Sequence, residues 1–289
     1  MRLWPVVIVL MSGCGRIGFD AITATTDDDG GNPVIDGGAS EDALGEFPAP
    51  ALVAELADGS QYEDPSVTLD GLLLVFMRDR GGNNFDLCQS TRSDGNAPWT
   101  APTFITELNT GGQETSPEVS PDGLSLYFTS NRGSGTSRNV WLSTRNSRAD
   151  TWGTPALIAE LSSSRDEANI AVRSDGLLAI IDSARDGERD LYRASNQGGT
   201  WSTPEAIPGL AAGNRLEGSP SIANNGTIYF HVTNAASTTF DVWRAVPDEN
   251  GAYSAMPVPD LAGFSDPFIS ADGSVLYVMR GGELYVTSR

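Results

Sequence analysis

The sequence predicts an all-β chain of five four-stranded antiparallel blades set in a ring, and three observations predict it. Asp-Gly or Asn-Gly turns recur at Gly71, Gly123, Gly176, Gly226 and Gly273, with spacings of 52, 53, 50 and 47 residues. Apolar runs flank every turn. A segment opening on an aromatic and closing on Leu also recurs five times. A fixed period near 50 residues marks a repeated unit that buries its faces against its neighbours.

The first strand of each unit precedes the turn. Pro65, Pro117, Ile170, Pro220 and Pro267 stand six residues before each Gly, and Val67, Val119, Val172, Ile222 and Ile269 follow two residues later. The second strand follows the turn as LLLVF, LSLYF, LLAII, TIYF and SVLYV. Such short apolar runs on one arm of a hairpin describe strands covered on both faces. The third strand repeats a polar residue, an aliphatic and usually an aromatic: Asp86-Leu87-Cys88, Asn139-Val140-Trp141, Asp190-Leu191-Tyr192, Asp241-Val242-Trp243 and Glu283-Leu284-Tyr285. Cys88 therefore takes an aromatic place and is expected as a buried free thiol.

The fourth strand is FPAPALVAEL (Phe47–Leu56), WTAPTFITEL (Trp99–Leu108), WGTPALIAEL (Trp152–Leu161), WSTPEAIPGL (Trp201–Leu210) and YSAMPVPDL (Tyr253–Leu261). Proline lies three residues after the aromatic in four of them, as suits an edge strand that needs one donor fewer. Four such strands make a β-propeller blade. The series begins on an edge strand and ends on a triplet, so pairing the first with the last completes the fifth blade and closes the ring over residues 47–289.

Blade two reads SPEVSPDGLSLYFTSNR. Its Ser116, Pro117, Pro121, Asp122, Gly123, Ser130, Asn131 and Arg132 resemble the WD-repeat-like motif of TolB-type propellers. The resemblance covers residues 47–289 and weakens in blade four. It implies the fold. TolB has six blades and an N-terminal α/β domain, whereas five repeats are counted here, so TolB's own roles do not carry over.

The N-terminus, MRLWPVVIVLMSGCGRIGFD, has a basic start (Arg2), a nine-residue apolar run and Ser12-Gly13-Cys14. The run is too short to span a bilayer, which takes ~20 residues. It resembles a bacterial lipoprotein signal, with Met11 where Leu is usual. The resemblance implies cleavage after residue 13, lipid on Cys14 as the membrane anchor, and, from Gly15, an outer-membrane position facing the periplasm or the cell surface. Residues 14–46 are rich in Asp, Gly, Ala and Thr and read as a disordered acidic tether.

The formal charge is −20, and all 18 basic residues are Arg. Phosphate backbones would be repelled, so no nucleic-acid partner is expected. No phosphate loop, nucleophile motif or zinc spacing occurs, and no cofactor, metal or catalytic set is expected. His231 has no second His, and a structural role is expected for it. Acids recur ahead of each first strand: Glu63, Asp64, Glu114, Glu167, Glu217 and Asp266. They form a candidate binding funnel at one mouth of the ring, for a cation, a basic peptide or sugar hydroxyls, or else cap strand ends. Arg80, Arg132 and Arg185, each nine residues after its turn Gly, are expected to satisfy carbonyls or carboxylates within their blades.

The reading that follows is a lipid-anchored envelope module that binds a protein or glycan at a propeller face without chemistry. The alternative is a glycoside hydrolase or lectin of the five-bladed type. EDPSV and SDPFI echo the Asp-Pro start of such hydrolases, which need two carboxyls of divergent pKa.

Overall fold

The computed structural model describes residues 46–82, 84–133, 135–210, 215–234 and 239–289, without the side chains of Arg215 and Asn234. The expected signal segment, Cys14 and the tether up to residue 45 lie outside the described residues. The described chain forms five antiparallel sheets, a five-bladed β-propeller. The edge strand β1 (Ala51–Leu52) comes first. Blade one is β2 (Tyr62–Val67), β3 (Leu73–Asp79), β4 (Phe85–Thr91) and β5 (Thr103–Phe104). Blade two is β6 (Glu114–Val119), β7 (Ser125–Ser130), β8 (Asn139–Thr144) and β9 (Ala156–Leu157). Blade three is β10 (Glu167–Val172), β11 (Leu178–Ser183) and β12 (Asp190–Gln197), with β13 (Thr200–Trp201) and β14 (Glu205–Ala206) both on β12. Blade four is β15 (Arg215–Ile222), β16 (Ile228–Asn234), β17 (Asp241–Pro247) and β18 (Tyr253–Ala262). Blade five is β19 (Ser265–Ile269), β20 (Val275–Arg280) and β21 (Glu283–Ser288), completed by β1 through Ala51↔Val286 and Leu52↔Tyr285.

The turn glycines Gly71, Gly123, Gly176, Gly226 and Gly273 all have φ between 68° and 88°, the left-handed region that the hairpins require. The edge strands of the first three blades and of the closing blade pair over only two residues in the main sheet. The fourth, with Met256 instead of Pro three residues after its aromatic, pairs from Tyr253 onward and runs ten residues. Proline at that third position thus delays the start of the edge strand, while Pro257 sits within β18 opposite Trp243.

The core is not a single mass but five wedges between neighbouring blades. Leu73, Leu87, Ile105 and Phe128 fill the wedge between blades one and two; Val140, Ile170, Ile181 and Trp201 fill the next. Edge segments fasten blade five to blade one and blade one to blade two: Trp99 N donates to Glu55 Oε1 (3.2 Å) and Trp152 N to Glu107 Oε1 (3.1 Å). Cys88 is a free thiol with 0 % exposure, and burial pushes it up to about 12. In a chain beginning after Cys14, a water-soluble maleimide should therefore leave native Cys88 unlabelled over the time that labels it completely in urea. Equal rates in both states would remove Cys88 from the core.

Candidate functional site on the propeller axis and turn face

Counted back from the turn glycines, the six expected acids fall into three columns. Glu114, Glu167 and Glu217 lie nine residues before their Gly, Glu63 eight, and Asp64 and Asp266 seven. On a regular strand the positions nine and seven before the Gly would share a face; the ladder bulge in each blade breaks that alternation and gives the columns separate fates.

Glu114, Glu167 and Glu217 are sunk inside their blades at 2 % exposure or less. Glu114 accepts from Thr110 N (2.8 Å), Thr110 Oγ1 (2.7 Å) and Ser130 Oγ (2.8 Å), with Arg132 Nη2 at 3.3 Å. Glu167 repeats the pattern with Ser163 N (3.1 Å), Ser163 Oγ (2.6 Å), Ser183 Oγ (3.1 Å) and Arg185. Arg132 and Arg185 also donate to the carbonyls of Leu108 and Leu161. These two arginines thus pair with a carboxylate of their own blade, as the sequence suggested, and also reach the edge segment of the blade before; Arg80 joins Asp86 at 2.8 Å. Replacing Glu167 with Ala should destabilise the protein by ~3–5 kcal/mol in urea unfolding, because Arg185 and two hydroxyls lose a buried partner. A loss below about 1 kcal/mol would remove Glu167 from the blade's interior framework.

The column seven residues before the turn brings Asp64, Ser116, Asn169, Ser219 and Asp266 together on the axis, all buried. Four have φ of 46–49°, and each of these four precedes Pro. Asn169, which precedes Ile170, is not among the residues with positive φ. A ladder bulge lies at this column in every blade, with or without the left-handed bend. The ring encloses a cavity of about 20 Å³, room for about one water. Asn169 Nδ2 donates to Asp64 Oδ2 (2.9 Å); Ser219 and Ser265 hydroxyls donate to Asp266 (2.7 and 2.9 Å); His231 Nδ1 stands 3.2 Å from Asp266 Oδ1.

The two axial aspartates are pushed apart in acidity. Burial, then the charges of Asp266 and Glu63, hold Asp64 well above the ordinary carboxylate range. Burial opposes ionisation of Asp266 too, but His231, Ser219 and Ser265 outweigh it and hold that carboxyl below the range. Beside them, burial and then Asp266 and Asp79 raise Glu63 to about 7. Fully buried Asp182, 3.4 Å from Arg189 Nε, is raised by burial to about 6. A Cβ on Gly218 would lie 2.6 Å from His231 Nε2 and 3.2 Å from Asp182 Oδ2, so glycine is what lets these side chains close over the strand. Among the described residues no three His, Cys, Asp or Glu side chains stand as a metal ion would need.

The opposite, turn-bearing face holds a roomier cavity of about 290 Å³ between blades two and three. Glu118, Asp122, Tyr127, Arg173 and Asp175 line it. Glu118 accepts from Ser66 Oγ of blade one (3.1 Å) and Val172 N of blade three (3.3 Å), and burial raises it to about 8. It also borders the axial cavity. The sequence reading passed over it. Yet among Ser66, Glu118, Ala171, Ser221 and Phe268, equivalent residues five before each turn Gly, it alone has a carboxyl.

No family model matches the sequence, and no curated protein matches it. Solved structures do. TolB from Acinetobacter baumannii superposes with TM-score 0.52 at 17% identity, covering 81% of this chain and 56% of TolB, so the chain spans just over half of TolB's length. The catalytic domain of the Coprinopsis cinerea GH62 α-L-arabinofuranosidase gives TM-score 0.54 at 14% identity, covering 79% of this chain and 90% of that one. A gluconolactonase from Xanthomonas campestris gives 0.51 at 12%, covering 85% and 90%. TolB, an arabinofuranosidase and a gluconolactonase on one architecture establish the propeller fold and nothing narrower.

Proposed function

We propose that this chain is a non-catalytic binding module of the bacterial cell envelope, held by lipid on Cys14 at the outer membrane and recognising a protein or glycan partner at a propeller face. The observation that supports it is the state of the axial carboxyls. Asp64 and Asp266 have the divergent acidities that glycoside hydrolysis requires, but they are buried around a cavity of about 20 Å³ and bonded to their own neighbours. A sugar ring does not enter such a space, and the five-fold repetition of the column makes it part of the ring's construction.

The test has two arms. Purified protein beginning after Cys14 should release no product from aryl arabinofuranosides or from arabinoxylan. Release that disappears in Asp64→Asn and Asp266→Asn would overturn the reading in favour of a hydrolase. In cells, labelled palmitate should mark the full chain and fail to mark Cys14→Ala; label surviving that change would overturn the anchor.

A further inference from the structure

We propose that the turn-face cavity between blades two and three receives an arginine or lysine side chain of a peptide partner, whose flanking apolar residues rest on Leu69 and Leu177. This deepens the binding-module reading and rests on it.

Four observations point there. The cavity of about 290 Å³ lies at the lower end of the range for ligand sites, enough for one long side chain. Its charge inventory is one-sided: three carboxyls, Glu118, Asp122 and Asp175, face one guanidinium, Arg173. Arg173 already commits Nε and Nη2 to Asp175 Oδ2, at 3.0 and 2.7 Å. With Arg173 paired to Asp175, and Arg148 beside Asp122 paired to Asp70, Asp122 leaves the lining negative; Glu118 adds a second charge once it gives up its proton, and the −20 of the whole chain adds a long-range attraction for cations. Third, the Tyr127 ring also lines the cavity, where an aromatic face attracts a cation. Fourth, Leu69 and Leu177 stand 70% and 51% exposed in turns that border it. Leu69 N bonds to the carbonyl of Pro121 at 3.1 Å, and Leu177 follows Gly176; both Pro121 and Gly176 line the cavity. Apolar flanks around a polar pocket suit a peptide better than a free amine or a sugar.

Glu118 gives the proposal a distinctive signature. With its carboxyl near 8, the empty pocket holds a proton at neutral pH, and an entering cation displaces it. Binding must then strengthen as pH rises from 6 to 9.

The experiment measures anisotropy of a fluorescent peptide, acetyl-Gly-Leu-Arg-Leu-Gly, against the whole chain in detergent and in 0.15 M salt. The expected result is saturable binding, about tenfold tighter at pH 9 than at pH 6. The Glu counterpart of the peptide should not bind, and spermine should compete weakly. Glu118→Gln, checked for folding by its melting curve, should weaken binding about tenfold at pH 9 and flatten the pH dependence. Leu69→Ser should weaken it several-fold with the pH dependence intact. Peptide binding unchanged in both variants would place it elsewhere on the acidic surface and overturn the proposal. So would spermine matching the peptide in affinity, displacement by a neutral oligosaccharide, or no binding at all. Sugar turnover lost in Asp64→Asn, with peptide binding intact, would instead sink only the non-catalytic reading.

Discussion

A chain lacking residues 47–56 is expected to lose its cooperative melting transition and to aggregate. This segment makes only two ladder pairs, Ala51↔Val286 and Leu52↔Tyr285, yet it reaches into both wedges that flank blade five. Phe47 joins the wedge shared with blade four, and Val53 and Leu56 join the wedge shared with blade one. Val53 N donates to Leu284 O (2.9 Å), and Thr287 Oγ1 to Pro48 O (2.6 Å). Three buried side chains at ~1.5–3 kcal/mol each come to roughly 5–9 kcal/mol, which rivals the whole net stability of a typical domain, about 5–15 kcal/mol. The open edge of β21 would then be free to pair between molecules. Phe47→Ala alone should cost ~3 kcal/mol. Deleting residues 21–45 should leave the melting temperature where it is. Circular dichroism on chains beginning after Cys14 makes the comparison, and a 47–56 deletion that melts like its parent would break the closure.

The protein should also become more stable on acidification, melting on the order of 10 °C higher at pH 5 than at pH 9. Glu63, Asp64, Glu118 and Asp182 all have carboxyls raised by burial, Asp182 to about 6, Glu63 to about 7 and Glu118 to about 8. The folded chain therefore holds protons that the unfolded chain releases. The stabilisation is complete below the ordinary carboxylate range and is lost as pH climbs through 6 to 8. Asp266, held low by His231, works in the opposite sense and only in strong acid. At ~1.4 kcal/mol per unit, and discounting for partial exposure of Glu63 and Glu118, Glu63, Glu118 and Asp182 come to roughly 5 kcal/mol between pH 5 and pH 9, and Asp64 acts in the same direction. Half-molar salt screens the exposed charges and leaves this buried contribution. Glu118→Gln should remove part of the slope above pH 7. A melting temperature that stays flat or rises from pH 5 to pH 9 in high salt would show these carboxyls to be hydrated.

The architecture was legible because its signals are local. A turn glycine, a proline that blunts an edge strand and an aromatic that opens it each act within a few residues, and their period counts the blades. The acids were harder. Their distances from the turn glycine already separate Glu114, Glu167 and Glu217 from Asp64 and Asp266, but which face of a bulged strand meets the axis depends on the left-handed bend at the residue before Pro. Contacts between blades were beyond reading. His231 meets Asp266, and Ser66 meets Glu118, across 35 and 52 residues, and only the closed ring fixes those pairs.

Joining the first strand to the last has a mechanical consequence. Because β1 and β21 run antiparallel, the point where the chain enters the ring and the point where it leaves lie at the same end of their shared ladder. Tension applied between Phe47 and Arg289 would not shear two long strands past each other. It would unzip them one rung at a time, so a propeller that resists heat through five wedges opens under a pull at its seam first.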